Sequence, residues 1–345
     1  MTLRTAYAEA GVDVDAGDRA VDLLREHLAI SPADRLGGIG AFGAVLEMPE
    51  NMDHPLLVSA TDGVGTKTEI ARRLGRYDTI GQDLVAMCVD DVVCHGATAY
   101  YFLDYLAVGR VVPERVADIV GGVARAAEAI GCALVGGETA EHPGLLSEDE
   151  FDLAGFCIGF VEREQLIDGS QVREGDAVVG LASDGLHANG YSLVRSLLDS
   201  GSLAMTDDLL TPTRIYLPTV INLLATLREA GARVGGLAHV TGGGLVGNLP
   251  RAVGSSELGV LIDPASWSEP EIFRRISRAA GMTPEECRAT LNDGIGFAVV
   301  VEPDAADATI NILANDLIAN DGVEAWVIGE VRSRGFLGNS RYAEA

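Results

Sequence analysis

A chain of 345 residues outgrows what one hydrophobic core usually serves; with 48% apolar residues but no long uninterrupted apolar run, it has material for two soluble cores and none for a membrane-spanning helix. Its formal net charge of −26 excludes the ordinary electrostatic grip on nucleic acid, which is assembled from Lys and Arg set against phosphates. Lys67 is the only lysine, and such an acidic, arginine-based composition fits adaptation to high salt or a GC-rich coding bias with acids kept for solubility.

The opening stretch MTLRTAYAEAGVDVDAG has no basic flank ahead of an apolar run, so neither a secretory nor a transit signal is expected, and the cytoplasm is the expected location. Gly38–Gly43 satisfies GxGxxG, but no strand precedes it and the segment AVLEMPE after it is too short for the required helix, so a Rossmann unit is not expected. Alternation over Leu56–Ser59 before a glycine turn predicts a strand, and Tyr77–His95 reads as a buried helix through Leu84, Val85, Met87, Cys88, Val92 and Val93. Tyr101–Val108 predicts a strand, and Pro113–Ile130, opening on proline with Glu114 near its start and ending before Gly131, predicts a helix. Cys132–Val135 and Asp152–Val161 add strands. The polar stretch Glu162–Gly175, with its Asp-Gly and Glu-Gly turns, sets the boundary between units 1–168 and 169–345. Beyond it, Ala177–Ala182 predicts a strand, Gly190–Ser200, Ile215–Gly231 and Ser268–Ala280 predict helices, and Phe297–Val301 and Ala325–Val331 predict closing strands. Both halves are mixed α/β. The five cysteines form no CxxC pair and leave an odd one over, so buried reduced thiols are expected rather than disulfides or a zinc site.

Chemistry concentrates in a few loops. Ser59–Lys67 carries Asp62, Gly63, Gly65, Thr66 and Lys67: a carboxylate for Mg2+, glycines that let backbone amides approach, and an ammonium for phosphate oxygens. The spacing is not that of a Walker A loop, and a plain glycine turn is the competing reading. Asp83, Asp90 and Asp91 lie on the apolar helix, positions 83 and 90 sharing a face. Carboxylates among Val, Met and Cys are costly to bury unless paired or bound to a cation, so metal coordination stands against a helix cap or an ion pair with arginine. Gly136–Gly144 sets two glutamates in a glycine loop. In the second half, Ser183–Gly190, with His187 and Asn189, and Thr241–Asn248, with Gly242, Gly243 and Gly244, each come after an apolar stretch and lead toward a helix, an arrangement suited to anions. His187 is a donor to phosphate or a proton carrier, or else a structural histidine; His239 shares that ambiguity.

These stretches stand in one order: AGVDVDAG around Gly11, GGIGAFGA, TDGVGTK, DTIGQDLVAMCVDD, FLDYLAVG, LVGGETAEHPG, DLAGFCIG, HANGYSLVR, LLTPTRIY, HVTGGGLVGNLPR, NDGIGFA and AWVIGEV. Across nearly its whole length the chain thereby resembles the phosphoribosylformylglycinamidine cyclo-ligase (aminoimidazole ribonucleotide synthetase) family. The resemblance implies two α/β domains, 1–168 binding ATP and dimerising through a β-barrel shared by a homodimer, and 169–345 forming the C-terminal domain. It implies ATP and Mg2+ as cofactors, with Asp62 and Asp91 as metal ligands; Asp90, which the family pattern does not supply, is either an added metal ligand or a reflection of the acidic composition. Gly63, Gly65, Thr66, Lys67, Asn189, Thr241, Gly242, Gly243 and Gly244 would surround the nucleotide, and Lys67, His187 and Asp62 would carry the chemistry. The implied reaction closes the imidazole ring of formylglycinamidine ribonucleotide at the expense of ATP. Departures from the family pattern are Asp90 ahead of Asp91, where Asn-Asp is usual, Asp293 in place of Met or Cys, and His142 in place of Met. Rival readings are a relative acting on thiamine phosphate, selenide or a hydrogenase-maturation partner, and a nucleotide sensor without turnover.

Overall fold

A computed structural model of the chain describes residues 43–316 and 322–345, together with Ala16, Gly17, Arg19, Ala20 and Leu23. Residues 11–15 and 38–42, which carry most of the AGVDVDAG and GxGxxG stretches, lie outside the described residues.

The first half is built on a four-stranded sheet in the order β1 (Pro55–Gly63), β4 (Phe151–Glu162), β2 (Thr98–Val108), β3 (Ala133–Glu141). β4 runs antiparallel to β1 and β2, and β2 pairs in parallel with β3. Helix α1 (Lys67–Leu74) comes after β1, and α2 (Ile80–Val93) and α3 (Pro113–Ala129) pack on one face of the sheet. α2 is buried almost throughout because it has neighbours on every side, which is why apolar residues and glycine surround its three carboxylates. It crosses α3 at Gly81 and Gly122; a Cβ on Gly81 would stand 2.2 Å from the Val123 nitrogen, so only glycine allows this approach.

The second half is a six-stranded sheet in the order β10 (Tyr342–Glu344), β7 (Leu258–Ile262), β9 (Ala325–Ser333), β5 (Ala177–Ala182), β8 (Ile295–Val301), β6 (Val234–His239). The neighbouring strands are antiparallel except β10 with β7. Interior strand β8, between β5 and β6, is buried at every position, which its unbroken apolar run IGFAVVV requires. Helices α4 (Tyr191–Asp199), α5 (Leu217–Glu229), α6 (Gly244–Asn248), α7 (Glu271–Ala280), α8 (Pro284–Thr290) and α9 (Ala306–Ala314) complete it. α2 also touches β6 and α5, and so joins the two sheets.

The expected elements are present with ends shifted by a few residues, and β3 differs more. Gly136–Glu141, read as a loop, continues the strand to Glu141, because pairing with β2 overrides the turn tendency of two glycines. Strands β6, β7 and β10 and helices α1, α8 and α9 were not expected. All five cysteines are free thiols, four buried and Cys94 half-buried. No described helix is long and apolar enough to cross a membrane.

Candidate active site

The site grows from the end of β1 and the last turns of α2. Asp62 is half-buried, and its Oδ1 accepts from the Gly63 amide at 2.7 Å. Burial raises its pKa above the ordinary aspartate value, the Gly63 bond opposes this, and the nearby charge of Asp91 adds to the rise. Asp91 keeps 37% of its side chain exposed, and its Oδ1 stands 3.0 Å from Nδ1 of His239 at the end of β6. His239 is buried and roughly stacked on Phe297, and its Nε2 has no hydrogen-bond partner. Thr61, Asp91, His239, Asn248 and Arg251 line a cavity of about 360 Å³ walled by both halves of the chain.

Beyond Gly65, whose φ of 61° is left-handed, the hydroxyls of Thr66 and of Ser192 on α4 lie 3.0 Å apart. The first glycine loop thus meets the turn that carries His187 and Asn189. Asn189 reaches Met87 of α2 through its Nδ2, 3.7 Å from Sδ, and its Oδ1 lies 3.6 Å from where a Cβ on Gly242 would stand. Asn248 organises the Thr241–Gly244 turn: its Nδ2 donates to the carbonyls of Thr241, Gly242 and Gly244 at 3.3, 3.2 and 2.9 Å. Gly243 and Gly244 both have positive φ, and a Cβ on Gly244 would stand 2.1 Å from the Arg288 carbonyl. The structure therefore gathers Asp62, Gly63, Gly65, Thr66, Asp91, Asn189 and Thr241–Gly244 at the junction of the two halves.

Three expected site residues face inward instead. The ammonium of Lys67, expected on the loop surface, is fully buried, donating at 2.6 Å to both Asp83 Oδ1 and the Thr211 carbonyl. Desolvation lowers its pKa from the ordinary lysine value while Asp83 opposes that change. Asp90 is also fully buried; its Oδ1 accepts from the amides of Tyr216 and Leu217 at 2.9 Å each, which caps α5 from another part of the chain. Its pKa is pushed up to about 7, chiefly by burial. His187 is buried with φ 60°, and its Nε2 accepts from the Asp184 amide at 3.3 Å. Burial, helped by His239 and Lys67, holds its pKa well below the ordinary histidine value, so the ring is neutral at pH 7.

Residues 41–161 match the family described as AIR synthase related protein, N-terminal domain, and residues 173–338 match the corresponding C-terminal domain. The chain is 44% identical over 336 residues to the phosphoribosylformylglycinamidine cyclo-ligase of Pseudothermotoga lettingae, spanning 94% of this chain and 96% of that relative. The enzyme of that name from Burkholderia multivorans is 44% identical over 338 residues, 95% of this chain and 93% of its own. The chain belongs to the phosphoribosylformylglycinamidine cyclo-ligase family. Among solved structures, hydrogenase maturation protein HypE in complex with ATP shares its fold at TM-score 0.67 and 19% identity, covering 96% of this chain and 91% of its own. Thiamine-monophosphate kinase from Stenotrophomonas maltophilia does so at TM-score 0.66 and 19% identity, covering 94% and 95%.

All three departures from the cyclo-ligase pattern, Asp90 included, lie outside the cavity wall. Asp293, at φ 53°, faces Cys287 Sγ at 3.6 Å and Arg288 Nη1 at 3.8 Å, and burial with the Glu269 charge raises its pKa to about 7. His142 places Nε2 3.1 Å from the Tyr105 hydroxyl. Sequence reasoning passed over Asn248 as an organising residue and the Asp184–Arg214 pair at 2.5 Å, which joins the His187 turn to the segment before α5. An asparagine closing a run of glycines was the available signal for the first; nothing local marks the second.

Proposed function

We propose that this cyclo-ligase family member converts formylglycinamidine ribonucleotide to 5-aminoimidazole ribonucleotide with release of ADP and phosphate. The observation that carries the reading is 44% identity to a named cyclo-ligase across 94% of the chain. The formamide oxygen attacks the γ-phosphorus of ATP and displaces ADP, leaving an imidate phosphate. The amidine nitrogen then attacks the imidate carbon; the carbon–oxygen bond breaks, phosphate leaves with its electron pair, and the nitrogen loses a proton. An amide oxygen leaves poorly, and phosphorylation makes its departure feasible.

Asp62 and Asp91 suit Mg2+: both are partly accessible, and the Asp62 pKa is raised chiefly by burial and further by the Asp91 charge, a repulsion that a divalent cation would relieve. Bound there, Mg2+ would supply charge neutralisation for phosphoryl transfer. The Gly63, Gly65, Thr66, Asn189 and Thr241–Gly244 backbone would hold the nucleotide. Lys67, Asp90 and His187 are positioning residues in this reading, since each is buried and bonded to groups inside the protein. The test is ADP release from Mg·ATP in high-salt buffer with and without the ribonucleotide. Ribonucleotide-dependent ADP together with aminoimidazole ribonucleotide is the expected result. A folded protein that binds ATP without turnover would overturn it in favour of a nucleotide sensor.

Residues 1–168 and 169–345 are assigned as the ATP-binding and C-terminal domains, each with its own sheet. A homodimer closing a β-barrel is supported by the sheet face opposite α2 and α3, where Leu57, Phe156 and Tyr105 are exposed by 59, 45 and 36%. An apolar sheet face of this kind favours a partner. Cytoplasmic location accords with free, largely buried thiols.

A further inference from the structure

The proposed reaction brings two phosphorylated molecules into one site, and the residues assigned to ATP leave the second anion without a cation. Lys67, the only lysine, is committed to Asp83 inside the protein. The cavity beside Asp91 supplies one alternative: among the described residues, Arg251 is the only lysine or arginine on its wall.

Three features of Arg251 suit it to an anionic ligand. Its side chain is exposed, and among the described residues it forms no ion pair, although Asp and Glu number 51 against 25 Lys and Arg. Its guanidinium is nevertheless not loose: Nη1 donates to Asn248 Oδ1 at 3.1 Å. Asn248 is 2% exposed and fixed by its bonds to the Thr241–Gly244 turn, so the guanidinium is anchored on one nitrogen while its remaining donors are available. A planar guanidinium held this way offers paired N–H groups that match the oxygens of a phosphate monoester. The two carboxylates on the wall do not compete for it. Asp168 accepts from the Ser170 amide at 2.9 Å and lies in the field of His95, and Asp91 faces His239. About 360 Å³ is within the range of small-ligand sites.

We propose that this cavity takes the ribonucleotide substrate and that Arg251, anchored by Asn248, recognises its 5′-phosphate. The assignment rests on the cyclo-ligase reaction proposed above and adds to it the residue that distinguishes a ribonucleotide from a ribonucleoside. It also links substrate recognition to the nucleotide loop, because one asparagine holds both.

The test is a two-by-two comparison of wild type and Arg251→Ala on formylglycinamidine ribonucleotide and on its dephosphorylated ribonucleoside, with the KM for ATP measured alongside. Arg251→Ala is expected to lower kcat/KM for the ribonucleotide by roughly 10- to 100-fold, the range of one charge-assisted contact. It should leave kcat/KM for the ribonucleoside and the KM for ATP within about twofold. Arg251→Gln, which keeps a donor for Asn248, carries the same expectation and guards against a loosened loop. Equal losses on both substrates would overturn the proposal, as would a raised KM for ATP with the ribonucleotide unaffected. Turnover by wild type with no effect of either variant refutes the phosphate contact alone, whereas a wild type inactive on the ribonucleotide refutes the cyclo-ligase reading with it.

Discussion

Lys67→Met removes the only ammonium side chain of the protein while keeping most of its volume, and so separates a structural lysine from a phosphate-binding one. Lys67 and Asp83 are both 0% exposed and 2.6 Å apart. Asp83 Oδ1 also accepts from the amide and hydroxyl of Thr213 at 2.8 and 2.5 Å. Breaking a buried pair by removing one partner costs about 3–5 kcal/mol, because the other charge is left in a poor solvent. The two Thr213 donors remain, so the low end of that range, about 3 kcal/mol, is expected in urea unfolding at pH 8. Burial already raises the Asp83 pKa, and loss of the ammonium raises it further. A carboxyl whose folded pKa exceeds its unfolded one stabilises the fold when protonated and loses that contribution as pH rises, so the deficit should be smaller at pH 5 than at pH 8. Lys67→Met with Asp83→Leu should be more stable than Lys67→Met alone. The reasoning is refuted if Lys67→Met unfolds like wild type and instead raises the KM for ATP.

Asp91→Asn should raise the Mg2+ concentration for half-maximal ADP release by about tenfold or more, because it removes one of two proposed ligand carboxylates. Asp90→Asn should leave that requirement within about twofold, since an amide oxygen can still accept from Tyr216 and Leu217, whereas Asp90→Leu should lose about 1–2 kcal/mol of stability with the cap. Asp104, on β2, has its pKa raised to about 7 by burial and then by Glu138, against about 3.9 unfolded. Its neutral form favours the fold, so stability from this group falls between about pH 4 and 7; Asp104→Asn should flatten that fall and gain on the order of 1–3 kcal/mol at pH 8 in thermal melts. If the protein is the proposed homodimer, Phe156→Glu, on the exposed face of the first sheet, should shift its sedimentation to that of a monomer, and an unchanged dimer would exclude that face as the interface.

What was legible in the sequence was local. The buried helix, the strands with continuous apolar runs and the glycine loops arise from periodicity and backbone demands that neighbouring residues state. Helix α1 was not, because KTEIARRL carries few apolar residues; Glu69 bonded to Arg72 and Arg73 supports it on its exposed side. Strand β6 was obscured by the two glycines in VGGLAH. The site divides the same way. Burial cost correctly singled out Asp83 and Asp90 as carboxylates in need of partners, and spacing correctly put them on one face, whereas Asp91, grouped with them, keeps 37% of its side chain exposed. The face shared by Asp83 and Asp90 meets residues 211–217, more than 120 positions along the chain, where Thr213 donates to Asp83 and the amides of Tyr216 and Leu217 donate to Asp90, while Lys67 of α1 adds its ammonium to Asp83. Asp91 is one residue further, a turn of about 100° around the helix axis. That rotation carries it away from the α5 cap to the cavity edge, where His239, 148 positions away, meets it. Residue type therefore announced the need for a partner, while the difference between a cap and a candidate ligand depended on which distant segment the fold brings against each side of α2. The scarcity of lysine was misleading for the same reason: being the only one says nothing about which way a side chain points.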